Sequence, residues 1–263
     1  MAESNSDLTI VTRHEQPGLA EAFWPQKERI WPEFMFHDIY AAKYWSYTFE
    51  VFDDYQLYLV NESGKPVAVG QTMPCVWDGT MSDLPVGWAD SLVRGANDYE
   101  AGRQPNTLVA LEIAIQPEYR GQGVSYRMIR AIRELAVRHG FQAVIVAVRP
   151  SLKMHYPITP MQNYVRWRQE DGAPFDPWLR AHWRSGGEIL KTADPSMVVE
   201  AAVEDWETWT GMKFPESGDY VIPDALVPIK IDREMNVGRY IEPNVWVHHP
   251  ITTRRLGSES GPN

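Results

Sequence analysis

The feature that most constrains the fold is a succession of strand, turn, helix and strand within residues 107–148. The run from Leu108 to Ile115 and the run from Ala143 to Val148 are both strongly apolar. Between them, five apolar residues recur at helical spacing, and Gly140 follows as a left-handed helix cap would: Val124, Met128, Ile132, Leu135 and Ala136. A continuously apolar strand is typical of one covered on both faces, so we predict a crossover helix between two parallel strands.

The turn before this helix has the sequence Arg120-Gly-Gln-Gly-Val-Ser125. A glycine-rich turn at a helix start aims several backbone N–H groups and the positive end of the helix dipole at one small volume, which suits a phosphate. A dinucleotide fingerprint is excluded because Tyr126 stands at the third glycine position and the segment 143–146 offers no acidic ribose partner. A P-loop is excluded because no Gly-x-x-x-x-Gly-Lys-Ser/Thr run occurs.

The composite of apolar strand, proline and turn resembles the Arg-x-x-Gly-x-Gly/Ala signature of the GNAT superfamily of acyl-CoA N-acyltransferases. The matching run is Ile113-Ala-Ile-Gln-Pro-Glu-Tyr-Arg-Gly-Gln-Gly-Val-Ser125, in which Ser125 replaces the usual small Gly or Ala. The resemblance is clear over residues 107–149 and weaker over 8–247. It implies an α/β (α+β) fold: a mixed, mostly antiparallel central sheet with one parallel pair and flanking helices.

The rest of the chain is organised around this unit. Strands are expected at 8–12, 55–61, 67–76, 107–116, 143–148, 188–191, 197–203, 226–231 and 240–248. Helices are expected at 17–27, 36–47, 89–96, 123–139, from 159, at 177–185 and at 205–209. Strict alternation along the strand 107–116 would put Val109, Leu111, Ile113 and Ile115 on one face. We predict a single domain over 1–251, with insertions at 77–106, 150–176 and 204–224 and a disordered tail at 252–263.

Charge and composition exclude several classes of protein. The net charge of −10 argues against nucleic acid as a partner, since phosphate contacts need clustered Lys and Arg. No signal-peptide pattern opens the chain and no apolar run approaches the ~18 residues of a membrane span, so we expect a cytoplasmic protein without membrane association. Cys75 is the single cysteine and the adjacent His248 and His249 lack further ligands, so no metal is expected. The sequence leaves open whether the chain forms a homodimer.

The resemblance implies that acetyl-CoA or another acyl-CoA is the co-substrate. The turn would bind the pyrophosphate through backbone amides, and the unpaired edge of the preceding strand would bond the pantetheine and the thioester oxygen. Ser151 and Lys153, just after the second parallel strand, are candidates for assisting the coenzyme, although a solvated lysine is the alternative. The predicted cofactor residues are Ile113, Ala114, Ile115, Arg120, Gly121, Gln122, Gly123, Val124, Ser125, Tyr126, Ser151 and Lys153.

Acyl transfer also needs a neutral amine, because an alkylammonium is almost wholly protonated at neutral pH. Alternation would put Glu112 on the same face of the central strand as Ala110 and Ala114, where desolvation would raise its pKa and let it act as general base. A structural ion pair is the alternative role. The resemblance places an acid for the thiolate on the helix 177–185, where His182 is the candidate; a surface histidine, or Tyr156 or Tyr164 as acid, are the alternatives.

An aromatic acceptor pocket is expected from the first helices and the loop before the central strand. Its candidate residues are Trp31, Glu33, Asp38, Trp77 and Trp88, with the two carboxylates available for a cation. The later segments are similar to a Trp-rich actinobacterial-type GNAT subgroup. We therefore predict an N-acetyltransferase that acts on a primary amine of a small molecule by direct attack in a ternary complex. The alternative is a non-catalytic acyl-CoA-binding regulatory module.

Overall fold

The computed structural model describes residues 8–251, and the predicted tail at 252–263 lies outside that range. The strands of the described chain are β1 (Thr9–Thr12), β2 (Leu57–Val60), β3 (Pro66–Cys75), β4 (Thr107–Ile115), β5 (Ala143–Val148), β6 (Glu188–Ala202), β7 (Gly218–Tyr220), β8 (Ile229–Asp232) and β9 (Val237–Pro250). The α-helices are α1 (Leu19–Phe23), α2 (Ile39–Tyr44), α3 (Tyr47–Glu50), α4 (Trp88–Glu100), α5 (Val124–Arg138), α6 (Met161–Tyr164), α7 (Pro177–Arg184) and α8 (Val203–Thr210).

These strands form one mixed sheet. Its order is β1-β2-β3-β4-β5-β9-β8-β7, and β6 pairs along β9. Only β4 and β5 are parallel among the described strand pairs, and α5 is the crossover between them. The predicted fold class is confirmed: a mostly antiparallel sheet with one parallel pair and flanking helices.

Helices cover both faces of the sheet. The apolar stripe of α5 packs against β2, β3, β4 and β5 on one face. On the other face, α4 covers the middle of the sheet and α1 covers the β2–β3 side. A separate apolar cluster joins α8 to β6, β8 and β9. In residues 8–251 no helix combines the length and the apolarity that crossing a membrane requires.

A β-bulge interrupts the ladder between β3 and β4. Gln71 and Thr72 are neighbours in β3, yet they pair with Glu112 and Ala110, which leaves Leu111 as the extra residue. The bulge therefore sits directly beside the predicted base.

The bulge divides the bulky residues of β4 between the two faces. Val109 and Leu111 pack in the cluster around α4, whereas Ile113 and Ile115 pack against the cluster around α5. The prediction that all four share one face was wrong, because strict alternation assumes an unbroken ladder.

The parallel strands separate beyond the pair Ala110 and Val146, although both strands continue. On the opposite edge of β4, the Gln116 N–H bonds back to β3. By the alternation of an antiparallel ladder, the backbone N–H groups of Ile113 and Ile115 point toward the opening between β4 and β5. The fold thus leaves strand-edge donors facing a gap.

The region 77–106 contains more regular structure than predicted. The short helix expected at 89–96 is the 13-residue helix α4, which carries Gly95 in its interior. A Cβ at Gly95 would lie 2.7 Å from the Met73 side chain, so this glycine permits close packing of α4 on β3 and does not break the helix.

Other elements differ in extent. The helix expected at 17–27 is the five-residue α1 followed by a 3-10 segment, and the helix expected at 36–47 is divided into a 3-10 turn, α2 and α3. The two strands expected between 188 and 203 form the single strand β6, with register shifts along its pairing to β9. The short strand β7 was not predicted, since three residues give no measurable alternation.

Candidate active site

A cavity of about 1210 Å³ lies where β4 and β5 separate. Its walls come from residues 110–115 of β4, residues 146–148 of β5, the start of α5, one side of α7 and aromatic residues before α4. Glu242 and Asn244 of β9 form a further part of the lining. Two regions of the sequence that are far apart therefore meet at the opening between the parallel strands.

The turn before α5 forms one end of this cavity. Gly121 and Gly123 have φ angles of 75° and 80°, a region that favours glycine. A Cβ at Gly121 would meet no atom of the described residues within 4 Å, so its backbone conformation and not crowding requires glycine. The first hydrogen bond of the helix runs from the Arg127 N–H to the Gly123 carbonyl, which leaves the N–H groups of residues 124–126 without an intrahelical acceptor. These donors and the helix dipole suit an anion.

Most of the predicted cofactor residues line the cavity together: Ile113, Ala114, Ile115, Arg120, Gly121, Val124, Ser125, Tyr126 and Ser151. Gln122 and Gly123 do not line it. The Gln122 side chain donates to the Glu118 carbonyl at 2.7 Å, and Gly123 is the N-cap of α5. Both residues act on the shape of the turn.

The position of Lys153 does not fit the predicted phosphate contact. Its side chain is fully buried, and the ammonium donates to the carbonyls of Leu226 at 2.6 Å and Tyr156 at 2.8 Å. Burial lowers the pKa of Lys153 to about 8. The ammonium therefore joins two chain segments, and it is absent from the cavity wall.

Glu112 reaches the cavity from the centre of β4. The Trp31 indole N–H donates to its carboxylate, and both residues line the cavity. Burial raises the pKa of Glu112 to about 8, and the hydrogen bond from Trp31 lowers it only in part. The side chain is half-buried and lines the cavity. A carboxyl that titrates near neutrality beside a cavity can accept a proton from a bound ammonium.

His182 lies outside the cavity. It is buried on α7, and its Nδ1 is 2.9 Å from Nε2 of His249. Burial, and then the proximity of His249, hold the pKa of His182 well below its usual range. A neutral histidine packed away from the cavity is poorly suited to protonate a thiolate, so the structure does not place the predicted acid where the reaction needs one.

The alternative acids are also committed elsewhere. The Tyr164 hydroxyl donates to the buried carboxylate of Asp176 at 2.9 Å. Tyr156 packs in an aromatic group with Trp167 and Phe175, and neither tyrosine lines the cavity. From α7 the cavity receives Trp178 and its neighbours: Pro177, Trp178, Arg180, Ala181 and Arg184.

Only part of the predicted acceptor group reaches the cavity. Trp31 and Trp88 line it, and the Trp88 indole donates to the Leu111 carbonyl at 2.7 Å. The other three do not line it. Glu33 lies 3.1 Å from His37, and Trp77 donates to the Thr80 carbonyl.

Asp38 has a structural position in place of the predicted binding one. It is the buried N-cap of α2, and its carboxylate accepts from the N–H groups of Tyr40 and Ala41 at 2.9 Å. Burial raises the pKa of Asp38, and these backbone hydrogen bonds oppose that shift.

The sequence interpretation missed a buried polar group on the C-terminal side of the cavity. We call it the Arg149 network; it consists of Arg149, Tyr240, Glu242 and Asn244. Glu242 is the signal that could have revealed it, since a carboxylate within an otherwise apolar strand needs a buried partner. Its partner, Arg149, follows directly after β5.

That the protein binds no metal stays a prediction. Among residues 8–251, His14, Asp53 and Asp54 form the one group of three side chains close enough to share a cation. They lie on the surface away from the cavity lining.

Comparison with known proteins agrees with this geometry. Residues 17–155 match the Acetyltransferase (GNAT) family. The chain is 35% identical to the arginine N-acetyltransferase avaD of Aspergillus versicolor, over 92% of this chain and 94% of that protein. In structure it is similar to the loading GNATL domain of CurA from Lyngbya majuscula, with a TM-score of 0.58, 16% identity and coverage of 93% and 98% of the two chains. It is also similar to the GphF GNAT-like decarboxylase in complex with isobutyryl-CoA, with a TM-score of 0.52, 15% identity and coverage of 93% and 99%.

Proposed function

Since the chain belongs to the GNAT family of acetyltransferases, we propose that it transfers an acetyl group from acetyl-CoA to the amine of a small molecule. The enzyme class and the acyl-CoA co-substrate follow from the family. The proposal adds the acetyl group, the acceptor and the residues that act. The observation that carries it is the meeting of three features at one cavity: the turn before α5, the opened edge of β4, and Glu112.

The coenzyme would bind across the opening between β4 and β5. The N–H groups of residues 124–126 would hold the pyrophosphate, since these residues line the cavity end and their N–H groups lack intrahelical acceptors. The pantetheine would lie along the opened edge of β4. There the N–H of Ile113 or Ile115 would donate to the thioester oxygen as negative charge develops, a contribution of roughly 2.7 to 4 kcal/mol for such donors.

Glu112 would accept the proton of the acceptor ammonium, directly or through water. The amine nitrogen would then attack the thioester carbonyl carbon, and the C–S bond would break as the tetrahedral intermediate collapses. The placement of Glu112 favours this base role over a structural ion pair, because its hydrogen-bond partner among the described residues is the neutral indole of Trp31.

Water would carry the second proton of the attacking nitrogen to the departing thiolate, so that coenzyme A leaves as the thiol. The predicted acid His182 is buried against His249, and α7 presents Trp178, Ala181 and arginines to the cavity in its place. Coenzyme A release would therefore be insensitive to loss of His182, apart from effects on stability.

Arginine or a related amine is the acceptor to test first, because the relative that covers 92% of this chain carries arginine in its name. Acetyl-CoA and L-arginine should give release of free thiol and a product heavier than arginine by one acetyl group, measured with a thiol reagent and by mass spectrometry. Reactions without amine are the control. Binding of acetyl-CoA without thiol release, for L-arginine and for every amine of a library, would support the regulatory-module alternative.

A further inference from the structure

Glu242 is fully committed to protein partners. Its side chain is 1% exposed, and its carboxylate accepts from Arg149 Nε at 3.0 and 3.1 Å, from the Tyr240 hydroxyl at 2.8 Å and from Asn244 Nδ2 at 3.0 Å. These donors occupy the oxygen lone pairs that a carboxylate offers. Glu242 therefore lines the cavity without a free acceptor for a ligand, and its role is to fix Arg149.

Arg149 keeps donors for a ligand. The guanidinium uses Nε for Glu242 and one Nη2 hydrogen for the Asp224 carbonyl at 2.6 Å. With one more hydrogen bond to the Tyr240 side chain, these contacts engage three of its five N–H groups, and the side chain, 16% exposed, lines the cavity. Burial alone would lower the pKa of Arg149, but Glu242 and Tyr240 outweigh it and raise the pKa. The residue is a fixed cation with unused donors.

The network also holds this cation at a set position relative to the predicted base. The side-chain oxygen of Asn244 accepts from the Ser196 hydroxyl at 2.6 Å, and that hydroxyl accepts from the backbone N–H of Trp88 at 2.9 Å. The Trp88 indole in turn donates to the Leu111 carbonyl, one residue before Glu112. A chain of hydrogen bonds therefore connects the Arg149 network to β4 beside Glu112.

Other arginines of the cavity have different surroundings. Arg180 donates to the carbonyls of Pro174 and Phe175, and Arg184 lies 3.6 Å from Asp171. Both are on α7, which packs against α5. Arg149 is set apart by its position on the β9 side of the cavity and by its buried carboxylate partner.

Resting on the proposed acetyl transfer, we propose that Arg149 binds a carboxylate of the acceptor and that the acceptor is an amino acid. The cavity would then hold the two charges of an amino acid separately, with the ammonium at Glu112 and the carboxylate at Arg149. A guanidinium with free N–H groups fits a carboxylate, because its planar fork can donate parallel hydrogen bonds to the two oxygens. Arg149 would be a specificity-determining residue that touches substrate.

The test compares acceptors that differ in the carboxylate. Initial rates of thiol release are measured with acetyl-CoA and three amines: L-arginine, L-argininamide and agmatine. We expect kcat/KM for arginine to exceed that for the other two by roughly 10- to 100-fold, the range of a charged hydrogen bond. The amide has the more acidic ammonium and hence more neutral amine, so a preference for arginine over it cannot come from amine basicity. Equal or better use of both analogues overturns the proposal.

The variant must not leave a buried carboxylate unpaired, since Arg149→Gln alone would isolate Glu242 and risk unfolding. The double variant Arg149→Gln with Glu242→Gln removes both charges and keeps amides for Tyr240 and Asn244. We expect it to lose the preference for arginine, because kcat/KM should fall much further for arginine than for agmatine, which has no carboxylate. Arg239→Gln is the matched control, because Arg239 is an exposed arginine on β9 paired with Glu200 outside the cavity. Retention of the arginine preference in the double variant overturns the proposal.

Two further measurements distinguish a carboxylate on the acyl group from one on the acceptor, and failure of the proposed function from failure of the carboxylate site. If the carboxylate belongs to the acyl group, wild-type protein will prefer succinyl-CoA to acetyl-CoA and the double variant will lose that preference, which overturns the acceptor assignment. If no amine is turned over, the proposed function fails, and calorimetry with coenzyme A present decides the site. Tighter binding of arginine than of agmatine, lost in the double variant, upholds the carboxylate site; equal or undetectable binding refutes it.

Discussion

At the residue scale, the raised pKa of Glu112 that suits a general base also lowers the stability of the folded protein at high pH. Its pKa of about 8 in the folded protein exceeds the usual 4.5, so the folded state holds this proton more tightly than the unfolded chain. The free energy of unfolding should therefore fall as the pH rises from about 4.5 to 8. Glu112→Gln keeps an acceptor for the Trp31 indole and removes this charge. We expect the variant to be more stable than wild type at pH 8 and equally stable at pH 4, by thermal unfolding at both values.

The same group predicts the pH dependence of catalysis. Glu112 accepts a proton only when ionised, so kcat/KM for wild type should rise with pH through an inflection near 8. Glu112→Gln should lower kcat by roughly 10²- to 10⁴-fold, the usual contribution of a general base, and remove that inflection. Initial rates between pH 6 and 9.5 measure both effects. Undiminished turnover in the variant would remove Glu112 from the base role.

The pair His182 and His249 predicts sensitivity to acid without a role in turnover. Burial is the first cause that lowers both pKa values, and that of His249 falls to about 4. Unfolding lets both rings take up protons, so their contribution is present above about pH 6.5 and is lost as the pH falls toward 4. Replacing both by leucine should flatten this part of the stability curve and leave kcat at pH 8 unchanged. Lost turnover in a variant that folds normally would restore His182 as the acid.

At the scale of elements, α5 offers a matched pair of glycines. Gly121 before the helix and Gly140 after it have φ angles of 75° and 73°, and a Cβ at either meets no described atom within 4 Å. Changing either to alanine should cost about 1 kcal/mol of stability, since both require left-handed backbone. Only Gly121 lines the cavity. We expect Gly121→Ala alone to raise KM for acetyl-CoA, by roughly tenfold for a loss of about 1.4 kcal/mol. Equal KM values for the two variants would contradict the phosphate role of the turn.

At the scale of the whole molecule, one continuous sheet predicts one cooperative unit. All strands of the described chain belong to that sheet, and the cavity draws residues from position 24 to position 244. The single domain predicted over 1–251 should therefore unfold in one thermal transition. Acetyl-CoA at 100 times its Kd should add about 2.7 kcal/mol and shift that transition upward by about 2 to 4 °C per kcal/mol. Two transitions, of which the ligand moves only one, would show separate units.

The sequence by itself determined the elements whose signal is local. The parallel pair, α5 and the glycine turn were predicted within a few residues, because apolar periodicity and glycine placement fix backbone geometry over short stretches. Glu112 was singled out because desolvation at the centre of an apolar strand raises the pKa of a carboxyl toward that of a general base. The coenzyme residues next to the turn in sequence were found with it, since one loop carries most of that contact.

The tertiary structure alone decided everything that depends on pairing between distant segments. His182, Lys153 and Asp38 each carry a suitable functional group, yet their partners at 249, 226 and 198 turn them toward the protein interior. The bulge at Leu111 depends on the pairing of β4 with β3, which no single strand encodes. Arg149 gains its place in the cavity wall only when β9 lies beside β5. Periodicity describes which way a residue faces along its own element, and the partner across the sheet is set by long-range packing.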